Sequence, residues 1–437
     1  MKKILLQLVT AISLFIVSCS TSKQIQRFAK NDVLTNPAFV PAHIGISIYE
    51  PATATYLYNY QGDKYFVPAS NTKLVTCYAA MKYLGDSLSG LRYVENSDTL
   101  IIYGAGDPTF LHPDFPQQRV YDFLKSVNKP IVLNNSAWTE KMWGPGWSWD
   151  DYSDYYMPEK SPLPLYGNIV RIKNRLNNPL VIPPLFKPNI KAGSSVNLNL
   201  FPTSADRDFF QNNFTVTAGQ TDEHYTETPF HVTDSLMARL LGDTLHKSIV
   251  VNNVDIEPEE QKITKIFSRP VDSMLRPLMH QSDNFFAEQT LLMVSQQLLG
   301  VMKDELIIDT LLKTDFKDLP QKPYWVDGSG LSRYNLFSPK DFVFILNKMK
   351  NDFGMDRIKN ILESGGTGTI KNYYKADSGF IYAKTGTLSG VVAFSGFLYT
   401  KKNKLLIFST LINNHNTSSA IIRKAIEKFI EEVRDKN

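Results

Sequence analysis

The 437-residue sequence contains little cysteine: only Cys19, near the N-terminus, and Cys77. No intramolecular disulfide is available if Cys19 is modified, so cross-links are excluded as the source of stability. A hydrophobic core must supply it instead. The chain is 43% apolar and 12% aromatic, and its length suggests two or three domains of about 150 residues each.

The sequence also lacks a large excess of charge of either sign. It has 47 basic and 43 acidic residues, which give a formal net charge of +4. Nucleic-acid binding is therefore not expected, because it depends on a marked positive surface. The seven histidines lack the spacing of metal ligands, so we expect neither a metal nor another cofactor.

Long apolar runs are scarce, and the clearest one lies at the N-terminus. Two lysines precede an apolar run from Ile4 to Val17, which is the pattern of a signal peptide and is short for a membrane span. The run ends in Ile16-Val17-Ser18-Cys19, which resembles a lipoprotein box. Cleavage after residues 1–18 would leave Cys19 to carry two acyl chains, which are enough for stable anchoring. We therefore expect an exported, periplasm-facing lipoprotein; an uncleaved anchor or an ordinary secretory signal is the alternative.

The patterns of the two chain ends predict one antiparallel sheet. Ile44, Ile46 and Ile48 alternate with small or polar residues, and the β-rich run after them predicts a hairpin. Three more strands and an amphipathic helix are predicted at the C-terminus. The fold class expected is α+β, an antiparallel sheet flanked by helices, with a mostly β insertion. The predicted limits are 19–35 for a tether, 36–91 and 265–437 for the sheet domain, and 92–264 for the insertion.

Three short elements that can carry chemistry occur in order. They are Ser70-Asn71-Thr72-Lys73, Ser282-Asp283-Asn284 and Lys384-Thr385-Gly386. The Ser-x-x-Lys spacing recurs at Ser20 and Ser126, but only Ser70 is predicted to open a helix. There, the i, i+3 spacing puts Ser70 and Lys73 on one face.

Each element has a role in a serine–lysine acyl-transfer site. A lysine amine of lowered pKa can take the proton of Ser70, which makes Ser70 the nucleophile and Lys73 the base. Ser282, predicted to cap the second helix, can relay a proton to the leaving group, and the amide of Asn284 can hold Lys73 and a substrate carbonyl.

The third element is predicted to lie on a strand edge that binds the substrate. Lys384 and Thr385 can bind a terminal carboxylate, and Gly386 lets the substrate backbone approach. The backbone N–H groups of Ser70 and Thr387 would form the oxyanion hole.

Together with further segments, these motifs resemble the class C low-molecular-mass penicillin-binding proteins. The segments are Gly106-Asp107-Pro108-Thr109, Trp149-Asp150-Asp151 and 327–333. The separation of 212 positions from Ser70 to Ser282 matches the family's long insertion, which a compact class A β-lactamase would lack. The resemblance implies a β-lactamase/D,D-peptidase-like transpeptidase domain and an acyl-enzyme on Ser70. It also implies peptidoglycan peptides as substrates and β-lactams as acylating ligands.

The resemblance leaves open which bond is cut, either a D-Ala-D-Ala terminus or a D-Ala-diaminopimelate cross-link. Some members of the family grip the diaminopimelate side chain, and the similar positions here are Trp147, Asp150, Arg333 and Leu388. Purely structural roles for these four are the alternative. Two other functions are considered: a β-lactamase or esterase on the same scaffold, and a non-catalytic lipoprotein that binds the cell wall.

Overall fold

The computed structural model describes residues 21–173, 179–193, 203–217, 225–252 and 262–437. Its helices are α1 (21–28), α2 (Lys73–Tyr83), α3 (Arg119–Ser126), α4 (Asp234–Leu245), α5 (Val271–His280), α6 (Asn284–Leu299), α7 (Asp304–Lys313), α8 (Pro339–Ile361) and α9 (Ser419–Lys436). None of the helices within these ranges has the length and apolarity to cross a membrane.

The strands are short in the middle of the chain and longer near its ends. They are β1 (His43–Glu50), β2 (Thr55–Tyr60), β3 (Ser87–Glu95), β4 (Leu100–Tyr103), β5 (Ile131–Leu133), β6 (Ile169–Lys173), β7 (Leu180–Ile182), β8 (Ile190–Ala192), β9 (Ser204–Arg207), β10 (Phe214–Thr217), β11 (Thr226–Pro229), β12 (Ile249–Val251), β13 (Thr264–Pro270), β14 (Glu363–Ser364), β15 (Ile381–Leu388), β16 (Val391–Tyr399) and β17 (Leu405–Asn413).

The chain divides into two compact units, and the division does not follow the predicted domain limits. The first unit comprises Met1–Tyr78, Leu275–Ser282 and Leu311–Asn437, and the second comprises Ala79–Met274 and Asp283–Thr310. Helix α6, which the sequence assigned to the sheet domain, falls in the second unit. A helical pattern reveals an apolar face but not the core against which that face packs. The predicted domain limits stay a prediction.

A six-stranded antiparallel sheet forms the centre of the first unit. Its strand order is β14-β15-β16-β17-β1-β2, so the first and last strands of the chain pair along β1 and β17. In that pairing Ile46 lies opposite Thr410 and Ile48 opposite Phe408. The predicted fold class, with a sheet built from both chain ends, is confirmed.

The core of the first unit lies between one face of this sheet and α9. Ile46, Ile48 and Phe408 from the sheet share a buried cluster with five residues of α9. Those five are Ile422, Ile426, Phe429, Ile430 and Val433, whose spacing of three to four places them on one face of the helix. Each such side chain contributes about 1.5–3 kcal/mol by leaving water.

The predicted tether is also part of this core. Residues 21–28 are helical and a further turn spans Ala29–Leu34. Ile25, Phe28 and Val33 are buried in the same cluster as α9. The polar residues of this segment predict a tether that becomes a short helix near the body of the protein, and a few apolar residues at helical spacing suffice to dock that helix.

The described residues of the second unit form three sheets and a core of their own. A five-stranded sheet has the order β12-β5-β4-β3-β13, and two three-stranded sheets have the orders β8-β10-β9 and β11-β6-β7. The predicted strand at 195–200 lies outside the described residues. In α6 every residue from Phe285 to Ser295 is buried, so this helix is surrounded by protein rather than lying on a surface.

Two adjacent isoleucines in α9 test the packing of the first core. Ile422 is fully buried, whereas Ile421 is 51% exposed. We expect Ile422→Ala to lower the free energy of unfolding by about 2–5 kcal/mol, because it leaves a cavity. Ile421→Ala, the matched control, should change it by less than about 0.5 kcal/mol. Urea unfolding followed by tryptophan fluorescence measures both, and equal effects would contradict the packing described.

Candidate active site

Ser70 lies on a 3-10 turn, Ala69–Thr72, that leads directly into α2. Ala69 has a φ of 47°, in the left-handed region, which costs a non-glycine residue about 1–3 kcal/mol. Two hydrogen bonds hold this turn. Thr72 Oγ1 donates to the Ala69 carbonyl at 3.0 Å, and Asn71 Nδ2 donates to Ser395 Oγ on β16 at 2.7 Å. Ser70 is thereby fixed beside the central strands of the sheet.

Lys73 is fully buried, and its amine lies next to the Ser70 hydroxyl. Its Nζ atom is 3.0 Å from Ser70 Oγ and donates to the carbonyl of Ser329 at 2.8 Å. The first distance is within the range for direct proton transfer. The predicted pairing of Ser70 with Lys73 is therefore present in the structure.

The segment that supplies the Ser329 carbonyl is organised by one carboxylate. Asp327 is fully buried and accepts from the N–H of Gly330 at 2.8 Å, from the N–H of Ser332 at 2.7 Å and from Asn335 Nδ2 at 2.7 Å. Gly330 has a φ of 81°, and a Cβ there would lie 1.9 Å from the Ala69 carbonyl oxygen. Only glycine fits at this position. Because it has no side chain, the loop can pack directly against the turn that carries Ser70.

The strand β15 passes close to the same turn. A Cβ on Gly386 would lie 2.7 Å from the Pro68 carbonyl oxygen and 3.0 Å from the backbone nitrogen of Ser70. The missing side chain therefore lets the edge of β15 approach the Ser70 N–H. This is the neighbourhood in which the oxyanion hole of Ser70 and Thr387 was predicted.

Lys384 is fully buried on β15, where its Nζ donates to the Thr385 carbonyl at 3.0 Å. The pKa of its ammonium is lowered to about 8, mainly by burial; the carboxylate of Glu363 opposes this shift, and the positive charge of Arg423 adds to it. Lys384 is therefore cationic at neutral pH but titrates within the ordinary working range. A cation there can bind an anionic group of a ligand.

Three polar residues around β15 were not predicted from the sequence. Glu363, on β14, is fully buried, and its carboxylate accepts from both the N–H and the Oγ1 of Thr369, each at 2.5 Å. Thr369 Oγ1 is in turn 2.5 Å from Thr385 Oγ1. Arg423, on α9, donates to Thr387 Oγ1. The sequence offers one feature that could indicate Glu363, an acidic residue directly before the glycine-rich segment 364–368. It does not connect Glu363 with Lys384, because the two have no characteristic spacing.

The second motif follows α5, and the prediction that Ser282 caps the next helix is wrong. The N-cap of α6 is Asp283, whose carboxylate accepts from the N–H of Phe286 at 2.8 Å. Asp283 has an extended backbone suited to capping, whereas Ser282 has a φ of 60°. Ser282 thus precedes the cap in a left-handed conformation. His280 is the last residue of α5, and burial lowers the pKa of its imidazole.

The remaining predicted residues divide between the two units. In the first, Arg333 Nη2 donates to the carbonyl of Ser389 at 2.9 Å, which places the arginine beside the end of β15 at Leu388.

The others lie in the second unit. Asn284 Nδ2 donates to the Tyr156 carbonyl at 3.0 Å. Asp150 accepts from Ser148 Oγ, and Trp147 packs on Gly144, where a Cβ would lie 2.5 Å from the indole nitrogen. Cys19 lies outside the described residues. Among those described, no three His, Cys, Asp or Glu side chains group as metal ligands.

Comparison with known proteins agrees with this geometry. The model of the D-Ala-D-Ala carboxypeptidase 3 (S13) family matches residues 28–433. The chain belongs to that family. The predicted membership of the low-molecular-mass penicillin-binding proteins is confirmed, and the protein is a serine-type D,D-peptidase that acts outside the cytoplasm.

Its relatives match over most of their length. The D-alanyl-D-alanine carboxypeptidase DacB of Haemophilus influenzae is 24% identical, over 93% of each chain. The D-alanyl-D-alanine carboxypeptidase of Actinomadura sp. strain R39 is 24% identical, over 88% of this chain and 80% of its own. The crystal structure of penicillin-binding protein 4 from Haemophilus influenzae aligns with a TM-score of 0.72 and 20% identity, covering 94% of this chain and 98% of that one. This last likeness establishes the fold.

The lowered pKa of Lys384 gives this D,D-peptidase a testable pH dependence. The ammonium is present below about pH 8 and is lost as the pH rises through that value. The KM of a peptide ending in a free D-Ala carboxylate, divided by that of a Lys384→Met variant, should therefore rise about tenfold between pH 7 and pH 9, because the charged fraction of Lys384 falls by that factor. Steady-state release of D-Ala measures it. The Lys384→Met variant should have the higher KM at pH 7, and a ratio of the two KM values that stayed constant would contradict the assignment.

Proposed function

We propose that Ser70 is the residue acylated during peptide hydrolysis, with Lys73 as its base. The supporting observation is the 3.0 Å contact between the buried Lys73 amine and Ser70 Oγ. A neutral amine at this distance can take the hydroxyl proton while Oγ attacks the carbonyl carbon of the penultimate D-Ala. Peptidoglycan peptides are the substrates, and β-lactams acylate the same oxygen.

The oxyanion that forms in this attack is bound by the backbone N–H groups of Ser70 and Thr387. The approach of Gly386 to Ser70 supports this assignment, because it brings the edge of β15 next to the Ser70 N–H. Two preorganised donors of this kind stabilise the charge that develops in the transition state. Collapse of the tetrahedral intermediate breaks the C–N bond and leaves an ester on Ser70.

The leaving amine takes a proton that Lys73 returns through the Ser282 hydroxyl, and Asn284 positions Lys73 and the substrate carbonyl. Lys384 and Thr385 bind the terminal carboxylate of the substrate. Water then hydrolyses the ester. The side chain of the peptide's diamino acid is proposed to contact Trp147, Asp150, Arg333 and Leu388. The hydrogen bond from Arg333 to the carbonyl of Ser389, the residue after Leu388, supports this proposal for Arg333 and Leu388.

Replacing the nucleophile tests this proposal against a matched serine. We expect Ser70→Ala to abolish covalent labelling by fluorescent penicillin and to lower D-Ala release by at least about 10³-fold. Ser126 also has a lysine three residues later, but its Oγ donates to the Phe123 carbonyl on an exposed helix end. Ser126→Ala should retain full labelling. Labelled Ser70→Ala protein would refute the role of Ser70.

We further propose that the mature enzyme is a lipoprotein anchored through Cys19. The apolar run ending at Ser18-Cys19 supports this, as does the burial of Cys77, which leaves that thiol inaccessible to acylation. The predicted signal peptide, 1–18, is then removed.

The two cysteines make the anchor simple to test. In cells fed an alkyne-tagged fatty acid, Cys19→Ala should lose the label and Cys77→Ala should keep it. The measurement is in-gel fluorescence after coupling of the tag. A label that persists in Cys19→Ala, or one that is missing from the wild type, would rule out the anchor.

A further inference from the structure

A chain of two hydroxyl groups connects the buried Glu363 to the residue proposed to bind the substrate carboxylate. Thr369 Oγ1 lies 2.5 Å from Glu363 Oε1 on one side and 2.5 Å from Thr385 Oγ1 on the other. Thr385 is 8% exposed and Thr369 is partly exposed, whereas Glu363 is fully buried, so a ligand can reach the hydroxyl groups but not the carboxyl group. A role for these hydroxyls in ligand binding rests on the proposed function, in which Thr385 contacts the substrate carboxylate.

With Glu363 ionised, the hydrogens of the chain point away from the ligand. A carboxylate can only accept, so Thr369 must donate its single hydroxyl hydrogen to Glu363. Thr369 then offers only a lone pair to Thr385, and the short contact between the two oxygens requires Thr385 to donate. The Thr385 oxygen is left with lone pairs toward the open side of β15. Lone pairs repel the carboxylate that Thr385 is proposed to bind.

With Glu363 protonated, every bond in the chain reverses. The carboxyl O–H donates to Thr369, Thr369 donates to Thr385, and the Thr385 hydrogen is free for the ligand. The second carboxyl oxygen, Oε2, continues to accept from the backbone N–H of Thr369, which cannot reverse. One proton on Glu363 therefore changes Thr385 from an acceptor to a donor.

We propose that Glu363 is a positioning residue that acts through Thr369 to orient the Thr385 hydroxyl, so that the site binds a carboxylate together with one proton. The proton comes from solvent at the ligand side. It enters at Thr385 as the Thr385 hydrogen passes to Thr369 and the Thr369 hydrogen passes to Glu363. No bond between heavy atoms changes, and the net result is one proton taken up for each carboxylate bound.

Several charged and titratable groups surround Glu363. Burial raises the pKa of its carboxyl, and the nearby ammonium of Lys384 and the bonds from Thr369 and Thr385 oppose that rise. Arg423 faces the same strand from α9, where it donates to Thr387 Oγ1. His280 lies near Lys384 and Leu362, and burial lowers its pKa, so it is neutral at pH 7.

Two nearly isosteric variants test the chain. Glu363→Gln places an NH₂ donor beside Thr369 at every pH, and Thr369→Val removes the acceptor that competes for the Thr385 hydrogen. We expect the rate constant for acylation by penicillin, divided by that of the wild type, to rise at least about fivefold with increasing pH in both variants, because the wild type loses its competent form as Glu363 ionises. Taking the ratio cancels any pH dependence that the variants share with the wild type.

Two controls isolate the effect. Thr369→Ser keeps the hydroxyl, so its acylation rate constant should equal that of the wild type at each pH. The methyl ester of penicillin lacks the carboxylate, so with this compound the ratio of rate constants should not change with pH for any variant. Constant ratios with penicillin itself would overturn the proposal. The proposal would also be overturned if the ratio rose with pH for Glu363→Gln but stayed constant for Thr369→Val. The lost negative charge of Glu363 would then explain the pH dependence without the hydroxyl chain. An error in the assignment of Ser70 as the nucleophile would be detected separately, because fluorescent penicillin would then still label the Ser70→Ala variant.

Discussion

The bond that the rest of the site depends on is the one between the amine of Lys73 and the hydroxyl of Ser70. A lysine buried without partners would be strongly destabilising, and here the Ser70 oxygen and the Ser329 carbonyl receive its hydrogens. Holding those two acceptors in place requires the left-handed Ala69, the close fit of Gly330 and the carboxylate of Asp327. The loop and the turn thus supply the protein groups that solvate this buried amine.

A second constraint acts on β15. This strand must lie close enough to Ser70 for its edge to share the site, which excludes a side chain at Gly386, and it must carry a buried cation at Lys384. The buried Glu363 partly balances that cation, while Arg423 adds positive charge at the same strand. The result is a lysine that is charged at neutral pH yet close to its titration point.

Much of the site could be predicted because its chemistry is local in sequence. Ser70 and Lys73 are one helical turn apart, and the alternation in β1 and the apolar spacing in α9 report a core that the structure confirms. Glu363 and Thr369 could not be found in this way. Their contact with Thr385 arises from the pairing of β14 with β15, which no spacing in the chain encodes. The capping of α6 by Asp283 was missed because Ser and Asp are both good caps, and only the backbone conformation decides between them.

The central claim is that Ser70 Oγ forms the covalent acyl-enzyme. Trypsin cleaves after Lys64 and Lys73, and the peptide between these sites contains Ser70 as its one serine. After brief treatment with penicillin, tandem mass spectrometry of the digest locates the penicilloyl group directly. We predict an adduct on the Ser70 side chain of this peptide and no other modified residue. An adduct on Ser282, or on any other residue while Ser70 stays unmodified, would contradict the claim.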